Sequence, residues 1–169
     1  MAAPVTDARV LGIDPGSHRL GWGVVIRRGN RYTHVAHGVI RAPAKAPLPE
    51  RLRVIADGLE AAVAAHAPTV AAMEQAFVQR DPHAALVIGH ARGVAMLVLA
   101  RASLEVSEYP PAVVKRAVVG TGRAEKAQVG AMIRSMLGLA EAPAEDAADA
   151  LAVAITHANA MGLAALLKR

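Results

Sequence analysis

The sequence predicts an α/β fold: a central mixed five-stranded sheet flanked by helices on both faces. Three observations predict it. Two turn signals divide residues 10–40 into three apolar runs, as an antiparallel meander requires. Beyond them, short apolar runs alternate with long segments of helical period, the pattern of strands joined through covering helices. Two of the short runs also end in a carboxylate, Asp14 and Glu74, which puts acids at the ends of neighbouring strands.

Taken in order, residues 1–8 show no periodicity and are expected to form a loose lead. Val10, Leu11 and Ile13 favour a buried strand, and Pro15-Gly16 ends it as a turn. Alone, Asp14-Pro15-Gly16 would read as an ordinary turn with a solvated acid. Trp22, Val24 and Ile26 alternate with other residues over 20–26, Gly29-Asn30 turns the chain, and 32–40 forms a third strand. The Ala- and Pro-rich residues 41–49 make a loop. Pro49 then suits the first turn of a helix running to residue 65. Its apolar stripe is Leu52, Ile55, Leu59 and Val63, and Arg51, Arg53 and Glu60 lie on the other face.

Ala67-Pro68 breaks that helix, and residues 69–73 form the strand ending in Glu74. A loop over 75–82 carries Phe77, the only phenylalanine, before a long helix over 83–102. On that helix Leu86, Gly89, Gly93 and Leu97 share one side, whose small residues admit a close neighbour, either the protein's own sheet or a second subunit. Residues 103–109 supply a fifth strand, with Leu104 and Val106 alternating with polar residues, and Pro110-Pro111 ends it. Lys115, Arg116 and the turn Gly120-Thr121-Gly122 follow. Arg123 and Lys126 then open a helix with core positions Val129, Met132, Ile133 and Met136. A last helix opens within 141–149, and about 160–169 forms an Ala-rich tail.

The 169 residues suit a single domain with a real core. A formal net charge of +5 favours a polyanionic partner, nucleic acid first. The absence of cysteine excludes a disulfide framework and a thiolate metal site. The N-terminus has no signal-peptide layout, so a cytoplasmic protein is expected. The longest strongly apolar stretch, 93–100, lies between Arg92 and Arg101 and falls well short of the roughly 20 residues that span a bilayer, so no membrane role is expected.

The acids carry the chemistry. Asp146 and Asp149 are three apart and share a helix face. A helix dipole favours acids in the first turn by about 0.3–1 kcal/mol, which suffices for Asp146. It explains Asp149 less well, one turn further in among Ala148, Ala150 and Leu151. If that helix packs on the sheet, Asp14, Glu74, Asp146 and Asp149 gather over one edge. Such carboxylates cannot all ionise without a cation. Hard divalent ions such as Mg²⁺ take oxygen ligands and keep phosphate oxygens in their shell, so an all-carboxylate cleft in a basic protein implies phosphodiester chemistry. Lys115, Arg116, Arg123 and Lys126 bracket the glycine turn in a way that suits phosphates, although the turn lacks the Gly-Lys-Ser/Thr ending of a P-loop. Taken alone, these charges read more often as a solvated face.

These residues resemble the RuvC Holliday junction resolvases of bacteria. The matching motifs are Gly-Ile-Asp-Pro-Gly-Ser at 12–17, Met-Glu-Gln at 73–75 and Gly-His-Ala-Arg-Gly-Val-Ala at 89–95. They continue with Val-Val-Gly-Thr-Gly at 118–122, Ala-Glu-Lys at 124–126 and Asp-Ala-Ala-Asp-Ala-Leu-Ala at 146–152. The resemblance implies a ribonuclease H-like fold, a homodimer, and Mg²⁺-dependent nicking of two opposed strands of a four-way DNA junction, with Mn²⁺ as a substitute. It places the catalytic, metal-holding acids at Asp14, Glu74, Asp146 and Asp149, a base-stacking aromatic at Phe77, and junction-contacting lysines at Lys115 and Lys126. It also implies a role in recombination and repair beside the branch-migration proteins RuvA and RuvB. The expected mechanism is in-line attack of water on the scissile phosphate with two cations about 3.5–4 Å apart, leaving a 5′-phosphate and a 3′-hydroxyl. Three rivals share parts of the pattern. Actin-like ATPases open with a similar hairpin but need a second such domain. A ribonuclease H-like nuclease for another substrate and a non-catalytic scaffold complete the set.

Overall fold

The computed structural model describes residues 8–75 and 81–167. Three strands, β1 (Arg9–Asp14), β2 (Arg19–Arg28) and β3 (Arg31–Arg41), form the expected antiparallel meander. Helix α1 (Leu48–His66) leads to β4 (Val70–Glu74), and α2 (Pro82–Arg101) to β5 (Val106–Tyr109). Both strands join the sheet in parallel, giving the order β3-β2-β1-β4-β5. The strand carrying Asp14 is therefore central. Helices α3 (Pro111–Val119), α4 (Lys126–Leu137) and α5 (Glu145–Leu167) complete the chain.

Each sheet face buries its own core. On one side, α1 and α2 cover Leu11, Ile13, Leu20, Val24 and Met73 with Ile55, Leu59, Ala95 and Leu99. On the other, α5 lies on the sheet with α3 and α4 outside it, burying Val10, Val25 and Ala72 against Leu151 and Ile155. Fully burying a side chain such as Leu151 or Ile155 contributes about 1.5–3 kcal/mol. These two therefore anchor the helix that carries two of the acids.

Several local expectations are corrected. Residues 111–119 are helical, because Pro111 occupies the first turn, where its missing N–H costs nothing. Strand β5 starts at Val106 rather than residue 103, since α2 runs to Arg101 and Ser103 has φ 57°. Residues 160–167 are not a tail but the last turns of α5. Met132 is 37% exposed and does not belong to the core. The side of α2 bearing Leu86, Gly89, Gly93 and Leu97 faces away from the sheet. Leu86 and Leu97 are 65% and 51% exposed, and a Cβ on either glycine would meet nothing within 4 Å. By length and composition α2 is apolar enough to cross a membrane. It nonetheless packs on the sheet through Ala91, Ala95, Val98 and Leu99 and buries the guanidinium of Arg92.

Candidate active site

Asp14 is the last residue of β1, opposite Gly21 of β2, and Glu74 is the last of β4, the parallel neighbour of β1. Helix α5 crosses the same sheet end at very close range. A Cβ on Gly12 would overlap the Ala150 carbonyl oxygen, and one on Gly21 would overlap the Asp146 carbonyl. Glycine's missing side chain is thus what lets α5 lower Asp146 and Asp149 to the level of Asp14. The four acids come from three sheet-bound elements, β1, β4 and α5, and none is on a free loop.

Their electrostatics show mutual proximity. Burial pushes Asp14 up to about 7, and the charges of Asp149, Glu74 and Asp146 push it the same way. Burial and Asp149 also raise Glu74, against the pull of Lys115, Lys126 and Arg92. Asp149 is raised by burial while Lys126 draws it down. The Lys126 ammonium bonds Glu145 and lies 3.9 Å from Asp149 Oδ2, and Arg19 lies 3.8 Å from Asp146 Oδ2. Among the described residues no three acids or histidines stand at the spacing of one metal shell. Burial and their like charges raise these carboxylates, and the lysine offsets part of their field. The donor set is nevertheless all oxygen and fits a hard divalent cation. A groove of about 890 Å³ lined by Lys126, Arg134 and Glu145 runs between α4 and α5 and meets the cluster at Asp149.

Of the basic residues singled out from the sequence, Lys115 and Lys126 act on the carboxylates. Arg116 and Arg123 are exposed and make no ion pair among the described residues. Phe77 lies outside the described residues. Three residues were not foreseen. The buried guanidinium of Arg92 donates to the Glu74 carbonyl and to Glu108, fixing the end of β4. Glu145 holds Lys126, and Arg19 sits beside Asp146. Only Glu145 carried a signal, its place in the acidic first turn of α5.

The raised acids set a pH dependence. A carboxylate whose folded pKa exceeds its unfolded value favours folding below the ordinary carboxylate range, and this contribution is lost as pH rises through the folded value. For Asp14 that window runs from about 4 to about 7. His34, His37 and His157, lowered by burial, act in the opposite sense over the same range, so the Asp14 contribution is read against Asp14→Asn, in which theirs cancels. Relative to that variant, the metal-free protein should lose melting temperature between pH 5 and pH 8, and millimolar Mg²⁺ should restore most of the loss at pH 8. Thermal melts of both with and without Mg²⁺ measure it, and a flat difference between the two metal-free profiles would contradict the clustering.

A ribonuclease H-like sheet carrying acids on its central strand, its parallel neighbour and a crossing helix defines a nuclease. A family model described as crossover junction endodeoxyribonuclease RuvC matches residues 10–157, and the chain belongs to that family. It is 54% identical to the crossover junction endodeoxyribonuclease RuvC of Sorangium cellulosum over 94% of this chain and 89% of the relative. It is 52% identical to that of Azorhizobium caulinodans, over 94% of each. Among solved structures, Thermus thermophilus RuvC in complex with Holliday junction substrate superposes with TM-score 0.86 at 34% identity, covering 93% of this chain and 96% of that one. The yeast mitochondrial resolvase Ydc2, at 13% identity and TM-score 0.64, shares the fold.

Proposed function

We propose that this chain, acting as one nuclease domain, resolves four-way DNA junctions in recombination and repair by nicking two opposed strands. The products carry 5′-phosphate and 3′-hydroxyl ends, so water attacks phosphorus while the bond to the 3′ oxygen breaks. The supporting observation is the gathering of Asp14, Glu74, Asp146 and Asp149, with the first of these raised by burial and then by the other three. Asp14, on the central strand, would hold Mg²⁺ together with Glu74 and Asp149, with Mn²⁺ able to substitute. Cations held there would make water a stronger nucleophile at neutral pH and would stabilise charge on the leaving oxygen. Asp146 orients the attacking water. Lys115 and Lys126 hold the phosphate backbone against the acids, and Arg116 and Arg123 continue that basic margin. Phe77 stacks on an opened base step, offsetting part of the few kcal/mol that unstacking costs.

A homodimer matches a substrate with two equivalent scissile phosphates, since a two-fold pair presents two equivalent sites. The outward side of α2, with Leu86, Gly89, Gly93 and Leu97, supplies a surface for it. RuvA and RuvB are the expected partners, and the cytoplasm the expected location. The test offers the protein a labelled four-way junction, a linear duplex and an RNA–DNA hybrid, each with Mg²⁺ or with chelator. Selective, paired nicking of the junction with Mg²⁺ alone is the expected result. Equal cutting of all three, or cutting of the hybrid alone, rules the reading out.

A further inference from the structure

Arg19 and Arg41 are directly opposed cross-strand partners at the open ends of β2 and β3. Like charges in that position destabilise a sheet. The fold offers little in return. Among the described residues Arg41 is exposed and makes no ion pair, while the 62%-exposed Arg19 reaches only Asp146 at 3.8 Å. The backbone around them is held firmly: the Ala42 N–H donates to the His18 carbonyl at 2.9 Å, and Ala42 itself is buried. The two guanidinium groups are therefore presented on a fixed edge at a cost.

Their location explains what that cost supports. Arg19 lies two residues before Gly21, the register partner of Asp14, so the pair stands at the carboxylate end of the sheet. Directly opposed residues share a face, and the contact of Arg19 with Asp146 places both arginines on the face of α5 and the acids. Strand β3 is two strands from β1 on one side, and β5, leading to Lys115, is two strands from it on the other. At about 4.8 Å per strand, the strand of Arg41 and the strand that leads to Lys115 each lie roughly 10 Å to the side of the central strand, with Arg19 one strand in.

From this we infer that Arg19 and Arg41 form a second phosphate-binding margin. It grips the DNA strand on the far side of the scissile phosphate from Lys115, which follows β5. The inference rests on the junction-nuclease reading and adds to it the path of the strand: across the sheet end, over the acids, with cations both before and after the cut. Backbone contacts of this kind position DNA without reading sequence.

Arg41 gives the cleaner test, because Arg19 also touches an acid of the site. Junction binding by the full chain is measured in chelator over a range of salt concentrations for the parent, Arg41→Gln and Arg41→Lys. Arg41→Gln should bind about 3- to 10-fold more weakly near physiological salt, and the slope of log affinity against log salt should shrink by about 1. Arg41→Lys should keep the parent slope. Cleavage at sub-saturating protein should fall with affinity and recover as protein is raised. The melting temperature of Arg41→Gln should match or exceed the parent's, since a like-charge pair is relieved. An unchanged affinity and slope for Arg41→Gln, with a parent that binds and cuts junctions, overturns this margin alone. Weaker binding accompanied by a lowered melting temperature overturns it as well, by marking a structural role. A parent that fails to bind junctions overturns both this inference and the reading beneath it.

Discussion

Asp14→Asn is expected to lower nicking by roughly a thousand-fold or more while junction binding stays near the parent level and the metal-free protein melts higher at pH 8. The substitution keeps the shape of the side chain and removes its charge. Asp14 is the acid that feels all three of the others, so its loss removes the group best placed to be shared between cations. DNA binding draws on the basic margins rather than on this carboxylate, and losing a negative charge there opposes it no further. The stability gain follows from sign. Above about pH 7 the parent carries an ionised, half-buried Asp14 that repels Glu74, Asp146 and Asp149, and asparagine carries none of that repulsion. Single-turnover cleavage, junction titration in chelator and thermal melting measure the three effects. Retained nicking, or a drop in melting temperature at pH 8, would contradict the arrangement described.

Gly21→Ala should lower stability by about 1–3 kcal/mol or more and reduce cleavage beyond what partial unfolding explains. The added Cβ overlaps the backbone carbonyl of Asp146, and backbone has no rotamer by which to escape. The start of α5 must therefore rise off the sheet, carrying Asp146 and Asp149 away from Asp14. A displacement near 1 Å at such a site costs on the order of 100-fold in rate. Gly130→Ala is the matched control: it is helical, with nothing within 4 Å of an added Cβ, and should gain about 0.5–1 kcal/mol. Thermal melts compared with single-turnover rates at a temperature where both variants are folded separate the two effects. Parent-like activity of Gly21→Ala would show that the glycine contact does not set the acids.

Much of this was legible in the chain because it was local. The meander followed from alternation and two turns, and Asp14 and Glu74 stood out as polar ends of apolar runs. Asp146 and Asp149 were linked by helical spacing. What escaped reading depended on neighbours distant in sequence. Arg92 looked like a fence at the edge of an apolar stretch, yet it is buried by bonding Glu74 and Glu108 across the sheet. Arg19 gains meaning only from its register with Arg41 and its approach to Asp146. Pro110-Pro111 reads as a stop in either direction, so the helix it begins was hidden. The outward turn of Leu86 and Leu97 was one of two open alternatives, because helical spacing reports a shared face without saying what the face meets.

Helix α5 is pinned at two places. Gly12 and Gly21 seat its first half, and Arg27 Nη1 reaches the Ala158 and Asn159 carbonyls at 3.1 and 3.2 Å just past its middle. A rod clamped twice can neither slide nor swing, so the backbone positions of its acids are set before any nucleic acid arrives. Selectivity for branched over linear DNA then does not come from moving α5, although the acid side chains still have to close on a cation. It falls to the substrate, whose willingness to bend and unpair at the crossing point becomes the quantity that the protein weighs.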